Sequence, residues 1–317
     1  MSYRGNFLRA CLFGTVLAFS AGFAGKALAS DPLPGDAIGL PPDVNIGLVY
    51  NEFVGAGTFA PAHGSNISHH TNLSTDVTVL RYVRTFGIDG YTFGAQGVVP
   101  YQAFLSPAKI GGAKLSTNSG FTNPLFSVFV FPINDDADGR SLVLGAWLNP
   151  AISSFNKNYV VNPSNDLTTY QAEIGFHQIL FGDPKGSNVA LEGWDDLYFY
   201  SNNTNDLAGG AGGPAATYRE QPTNEVRVYL PYVVDPKIGL FVAPGFFQSF
   251  GGKQTFALHE APVIIDSGNR TNISELRFAA GMFLSPTLQV MGVGEYDVAG
   301  HGGFLTRSFQ IRLAKFF

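Results

Sequence analysis

Cysteine is almost missing from this chain of 317 residues, and the one present, Cys11, lies close to the N-terminus. No stretch of about 20 apolar residues exists beyond that region, so no helix is predicted to cross a bilayer. Charged residues make up only 14%, against about 25% in an ordinary soluble domain. The charge that is present leans acidic, with a formal net of -5. A nucleic-acid partner is not expected on that balance. Recognisable catalytic runs are missing too: there is no G-x-S-x-G, no H-E-x-x-H and no Walker-type loop.

What the chain has in abundance is glycine and aromatics, with 38 Gly, 28 Phe and 13 Tyr. A soluble protein must hide that aromatic surface in a core, whereas a membrane barrel displays it outward. Residues 1–29 read as a signal peptide. Arg4 and Arg9 give the basic start, 10–24 the apolar run, and Ala27-Leu28-Ala29 the small-x-small cleavage site before Ser30. Its removal takes Cys11 with it, and with Cys11 go disulfides, thiol catalysis and cysteine metal sites. Arg4, Arg9 and Lys26 also go, so the mature chain has three fewer basic residues against the same 24 acids.

The C-terminal strand carries the sharpest pattern. A strand changes face at every residue, so a period of two separates a lipid face from a lumen face. Phe309, Ile311, Leu313 and Phe317 fall on one face, and Thr306, Ser308, Gln310 and Arg312 on the other. Arg307 and Lys315 break the apolar row near its ends, where long cationic side chains reach the headgroups. The chain stops on Phe317, similar to the aromatic C-terminal signature that outer-membrane assembly machinery reads. Two further segments alternate alike. Val226, Val228, Leu230 and Tyr232 oppose Glu225 and Arg227. Leu276, Phe278, Ala280 and Met282 oppose Glu275 and Arg277. Tyr232 and Tyr296 sit where an interfacial aromatic girdle belongs.

Twelve strands are expected, near 44–56, 73–86, 91–105, 123–133, 140–150, 168–180, 188–202, 217–232, 238–249, 272–284, 287–297 and 304–317. The number is even, and each is long enough to cross at a tilt. Tight turns rich in Gly, Pro and Asp join alternate pairs: 87–90, 134–139, 182–186, 234–237 and 285–286. Longer connections cover 57–72, 106–122, 151–167, 203–216 and 250–271; the last, 298–303, is short. With periplasmic termini, the short turns are periplasmic and the long loops extracellular. The expected fold is therefore an all-β transmembrane antiparallel barrel of 12 strands over 44–317, its long loops partly folded into the lumen. Apolar loop pieces at 101–105 with Ile110, and at 256–258 with 261–265, are the expected inward folders. Residues 30–43, with Pro32, Pro34, Pro41 and Pro42, read as a periplasmic N-terminal tail or a plug-like piece.

Several runs then carry a family resemblance. They are Val189-Ala190-Leu191-Glu192-Gly193-Trp194-Asp195-Asp196-Leu197-Tyr198-Phe199-Tyr200-Ser201-Asn202-Asn203, Gln221-Pro222-Thr223-Asn224-Glu225 leading into a strand, 245–252 before a long loop, and the final hairpin. Over most of the mature length the sequence resembles the outer-membrane channels named for the meta-pathway of phenol degradation. The resemblance implies a monomeric twelve-stranded barrel, partly filled by loops, that passes small hydrophobic and possibly aromatic molecules. It supplies no catalytic motif and no cofactor. The implied partners are outer-membrane lipid, lipopolysaccharide, the barrel assembly machinery and the solutes themselves.

Candidate site residues follow from these faces. Glu192, Asp196, Glu225, Arg227, Glu275, Arg277 and Arg312 form an expected lumen-lining charge ladder, in which buried carboxylates pair with inward arginines. Phe104, Leu105 and Phe256 are the expected apolar capture residues of the loops. Two other classes of function stay open. One is a structural or adhesive barrel with a closed lumen. The other is an outer-membrane lipid hydrolase, which needs a serine–histidine pair; His177 shares a face with Glu173, and no serine is expected beside it on the next strand. His69 and His70 are adjacent in the first long loop, but neighbours on an extended chain point apart, so no metal site is expected there.

Overall fold

In the computed structural model the described residues, 31–266 and 270–317, contain strands and no α-helix. The signal peptide expected at 1–29, with Cys11, lies outside the described residues. Twelve antiparallel staves close into a barrel. They are β1 (Asn45–Ala60), β2 (Leu73–Ile88), β3 (Tyr91–Phe104), β4 (Leu125–Asp135), β5 (Arg140–Asn149), β6 (Thr169–Gly182), β7 (Asn188–Tyr200), β8 (Thr223–Tyr229, continuing as Tyr232–Asp235), β9 (Leu240–Phe250), β10 (Asn272–Ser285), β11 (Leu288–His301) and β12 (Gly303–Phe316). Each pairs with its neighbours in sequence. β12 closes on β1 from Ile46 opposite Phe316 to Ala60 opposite Gly303. Closure satisfies backbone polar groups within the wall, which a hydrocarbon surround demands.

The alternation of the last strand is realised residue by residue. Phe309, Ile311 and Leu313 are exposed on the outside, while Thr306 and Arg312 are buried inside. Leu276 and Phe278 on β10, and Val228, Leu230 and Tyr232 on β8, likewise face out. Tyr232 and Tyr296 are both exposed on the outer surface. The turn 87–90 tightens to Asp89-Gly90, both with positive φ, a geometry that matches the twist of the flanking strands.

Three features differ from the expectation. The eighth strand does not run unbroken from 217 to 232. Pro222 and Pro231 lack the N–H that a ladder needs, so the stave begins at Thr223 and is interrupted at 230–231. The piece before it, Ala215–Glu220, joins Asn203–Leu207, Gln254–Leu258 and Ile264–Asp266 in a separate four-stranded sheet at the long-loop rim. The final connection is reduced to Gly302, with φ of 82°.

Inward glycines make room for inward aromatics. Gly175 on β6 lies opposite Trp194 on β7, and a Cβ there would come within 2.4 Å of the indole. Gly94 on β3 accommodates Phe129 in the same way, at 2.0 Å. A ring lying flat over a cross-strand glycine covers backbone that would otherwise be bare. Gly175→Ala is expected to cost about 1–3 kcal/mol through overpacking, read as a lower temperature for loss of the compact, heat-modifiable band on a gel. An unchanged transition would mean the indole has free space to move.

Candidate functional site

The lumen is crossed by residues 31–41, a strap that lies inside the ring before β1 begins. Its proline-rich backbone makes few contacts with itself, so inward side chains of the wall satisfy it. Glu192 on β7 accepts the amides of Gly35 (2.8 Å) and Ala37 (3.2 Å), and also the Trp194 Nε1–H (3.1 Å). The Tyr229 hydroxyl donates to Pro32 O at 3.1 Å, and the Ser141 hydroxyl to Ala37 O at 2.5 Å. Lower down, Asn134 donates to Leu40 O and Thr85 to Pro41 O. Buried main-chain groups must find such partners.

Two aspartates anchor the strap through charge. Asp31 bridges Arg227 and Arg277, the second at 2.8 Å. Asp36 bridges Arg312 at 2.6 Å and Arg81 at 3.4 Å. For both acids burial pushes the carboxyl pKa up, but the facing guanidiniums outweigh it and hold each below the ordinary value of 3.8. Around these anchors the ladder residues fall into two clusters. Arg227, fully buried, contacts Asp196 and Glu225 (2.6 Å to the latter). Arg277, already bridged to Asp31, also donates to Glu275 at 2.6 Å, and Glu295 stands farther off at 3.6 Å. Both guanidiniums lie over the ring of Phe247, at 5.0 and 4.6 Å, a stacking that suits Arg better than Lys.

Glu192, Asp196, Glu225, Arg227, Glu275, Arg277 and Arg312 thus all face inward, as the alternation places them. Two of the expected pairings are corrected. Glu192 is held by strap amides and not by an arginine, and Arg312 finds its acid on the strap and not on the wall. Asp31, Asp36 and Arg81 were not foreseen.

The strap divides the lumen into two chambers. The outer one, about 170 Å³, is lined by Asp31 and Leu33 of the strap, and roofed by loop residues including Thr122, Asn123, Pro163 and Leu167. The inner one, about 630 Å³, lies toward the short-turn rim and is bounded by Pro34, Gly35, Asp36, Ile38 and Leu40 of the strap. Apolar side chains dominate its wall, among them Ile46, Leu48, Val83, Phe129, Phe131 and Phe241.

The capture residues are not brought together. Phe104 is half-buried at the end of β3, Leu105 is exposed beside it, and neither borders a chamber. Phe256 is buried inside the loop sheet against Tyr218, with Ala208, Ala216 and Leu167 around it. A ring already packed offers no landing surface, so Phe256 serves the loop core instead. The segment 101–105 does not fold inward either: Tyr101 faces out against Phe121. Phe317 is exposed at the barrel foot, with its backbone paired to Asn45.

Ser141, on the preceding strand β5, is directly opposite His177. Glu192 is the cross-strand partner on the other side, 3.6 Å from His177 Nδ1. The row differs from a lipid hydrolase in two respects. It faces the lumen, away from phospholipid, and the serine hydroxyl is given to Ala37 O. His69 and His70 stack edge to face in the first loop, and no group of three or more metal-ligating side chains occurs among the described residues.

The loop sheet holds two acids in unusual settings. Burial raises Glu220 to about 7, against the hydrogen bonds it receives from Tyr218 and Gln254. Burial likewise raises Asp206 to about 6. A carboxyl whose folded value is raised binds its proton more tightly when folded. Its contribution is therefore fully present below the unfolded value of 4.5 for Glu220 and is lost as pH climbs to about 7. Amide exchange in Ala215–Glu220 and Gln254–Leu258 is expected to be severalfold faster at pH 8 than at pH 5 after correction for intrinsic rates. Equal protection at both would show that Glu220 ionises without strain.

The family model described as "Putative MetA-pathway of phenol degradation" matches residues 56–313. Among solved structures, the COG4313 outer membrane channel from Pseudomonas putida F1 superposes with a TM-score of 0.76 at 18% identity, covering 90% of this chain and 100% of that one. The transport unit of the autotransporter AIDA-I from Escherichia coli reaches a TM-score of 0.46 at 11% identity, covering 96% and 97%. The beta domain of the Bordetella autotransporter BrkA reaches 0.45 at 12%, covering 86% and 99%. No curated protein matches.

Proposed function

Because the chain belongs to the MetA-pathway of phenol degradation family, we propose that it is a channel of the Gram-negative outer membrane for passive uptake of small hydrophobic molecules, aromatic ones included. The inner chamber carries this reading. Its volume of about 630 Å³ falls in the ordinary range for small-molecule sites, roughly 300–1,000 Å³, and its wall is mainly aliphatic and aromatic. An apolar solute gains little from a wide aqueous pore. A narrow path ending in an apolar chamber lowers its barrier by removing it from water.

In this scheme the short turns and the strap entry are periplasmic, and the loop sheet and outer chamber face the medium. Solute enters beneath the loop roof and waits in the outer chamber. It reaches the inner one when the strap shifts, and leaves down its gradient. Outer-membrane lipid surrounds the apolar belt, lipopolysaccharide meets the loop rim, the assembly machinery reads the strand ending in Phe317, and the barrel works as a monomer.

A strain lacking the protein is expected to take up a labelled monoaromatic hydrocarbon more slowly at low external concentration, and purified protein in vesicles to restore entry. Equal rates across several such compounds would favour the closed structural barrel instead.

A further inference from the structure

The outer chamber has a chemistry of its own. Six carboxylates line it, from Asp31, Glu52, Glu220, Glu225, Glu275 and Glu295, against one guanidinium, that of Arg277. Charge alone does not make a site, but the chamber also gathers unsatisfied polar atoms. Tyr198 and Asn149, buried residues only 3% and 8% exposed, border it, and Tyr198 Oη and Asn149 Oδ1 have no hydrogen-bond partner; nor has Oε1 of Gln310, which borders it too. Buried polar atoms are rarely left so. That three share one cavity points to a donor that enters from outside.

The register shows where that donor would sit. Glu52 on β1 is directly opposite Gln310 on β12. On the other side of β12, Glu295 of β11 is opposite Ser308 and accepts its hydroxyl at 2.8 Å. Glu52, Gln310 Oε1 and Glu295 thus form a row of acceptors over three adjacent strands. Glu52 makes no salt bridge among the described residues, and Glu295 is 3.6 Å from the nearest arginine nitrogen, which is already engaged by Glu275. Two carboxylates facing one space repel each other unless a cation comes between them.

We propose that the outer chamber is a binding site for a small organic ammonium, with the charged nitrogen in the row Glu52–Gln310–Glu295 and the ring or alkyl body toward Tyr198 and Phe247, and that it turns away carboxylates of the same size. The chamber volume of about 170 Å³ holds roughly one benzene-sized body. The proposal rests on the uptake reading for its biological sense, but binding can be measured without passage.

The test uses the full mature protein in detergent, with benzylammonium, benzyl alcohol and benzoate titrated at pH 7 by calorimetry. Benzylammonium is expected to bind at least tenfold more tightly than benzoate, with the alcohol between them. Glu52→Gln is expected to reduce the preference roughly tenfold, the worth of one charge-assisted contact, and Gln310→Met, which removes the unpartnered acceptor of the row, to weaken amine and alcohol alike. Heat-modifiable migration reports whether a variant is folded; if Glu52→Gln is not, Glu295→Gln takes its place with the same expectation. Benzoate binding as well as the amine, or a folded carboxylate variant with the preference intact, overturns the assignment. Failure of vesicle uptake for neutral solutes, with amine binding retained, would instead strike only the channel reading.

Discussion

Replacing Arg227 by Ala is expected to be the most damaging single change in the barrel, at about 3–5 kcal/mol. Arg227 is fully buried and is the shared partner of Asp31, Asp196 and Glu225. Its loss leaves Asp196 and Glu225 without a counter-charge and Asp31 with Arg277 alone, and the penalty comes mostly from the stranded charges. Lys at this position keeps one positive charge but loses the planar fork and the stacking on Phe247, so Arg227→Lys should recover only part of the stability. Adding Asp196→Asn to Arg227→Ala should recover some of the loss by removing one of the stranded acids, a non-additivity expected for groups in one network. Urea unfolding of protein reconstituted in vesicles measures all three. A single variant as stable as the parent would show that water fills the gap and solvates the acids.

The wall of this protein is legible in its sequence because its rule is local. Which face Phe309 or Arg312 takes follows from strand parity, and parity needs only the immediate neighbours. Pairs two apart, such as Glu275 with Arg277 and Glu225 with Arg227, read out the same way. What crosses the lumen obeys no such rule. Asp31 meets Arg277 over a separation of 246 residues, and nothing in the spacing of either announces the other. A partial signal existed: Arg81 and Arg312 face inward with no acid paired to them on the neighbouring strands, so a missing carboxylate had to come from elsewhere. The Asp-Pro-Leu-Pro-Gly-Asp run at 31–36, within the stretch read as a tail or plug-like piece, holds both acids. Register was the other blind spot. Ser141 faces His177 only because the loop at 151–167 lets β5 and β6 pair at that offset, and a slip of one residue would turn every side chain to the opposite face. The loop sheet escaped notice for a related reason: Ala215–Glu220 has strand-like composition, and only Pro222 marks that it belongs to a different sheet.

The strap makes a second large effect predictable. Asp31→Asn with Asp36→Asn removes the charge from both anchors while keeping their shape. Each charged hydrogen bond is worth about 1.5–3 kcal/mol, so losing both should raise the ratio of displaced to seated strap by roughly a hundredfold or more. Displacement joins the two chambers, because Asp31 and Leu33 border one and Pro34 to Asp36 the other. In planar bilayers the double variant should therefore spend far longer in a conducting state than the parent, and Glu192→Gln, which weakens the acceptor for Gly35 and Ala37, should move the same way by less. The pH dependence has a definite sign. Burial acts to raise the Asp36 carboxyl, but Arg312 and Arg81 outweigh it and hold it below 3.8. A lowered folded value gives stability that is present above the ordinary carboxylate range and lost only as pH falls through the lower one. The parent should stay closed from pH 7 down to pH 5, even while protonation tightens the loop sheet above it. Identical conductance in parent and double variant would mean that the chambers stay separated without the charges, and that Glu192 and the strap's apolar contacts alone hold it in place.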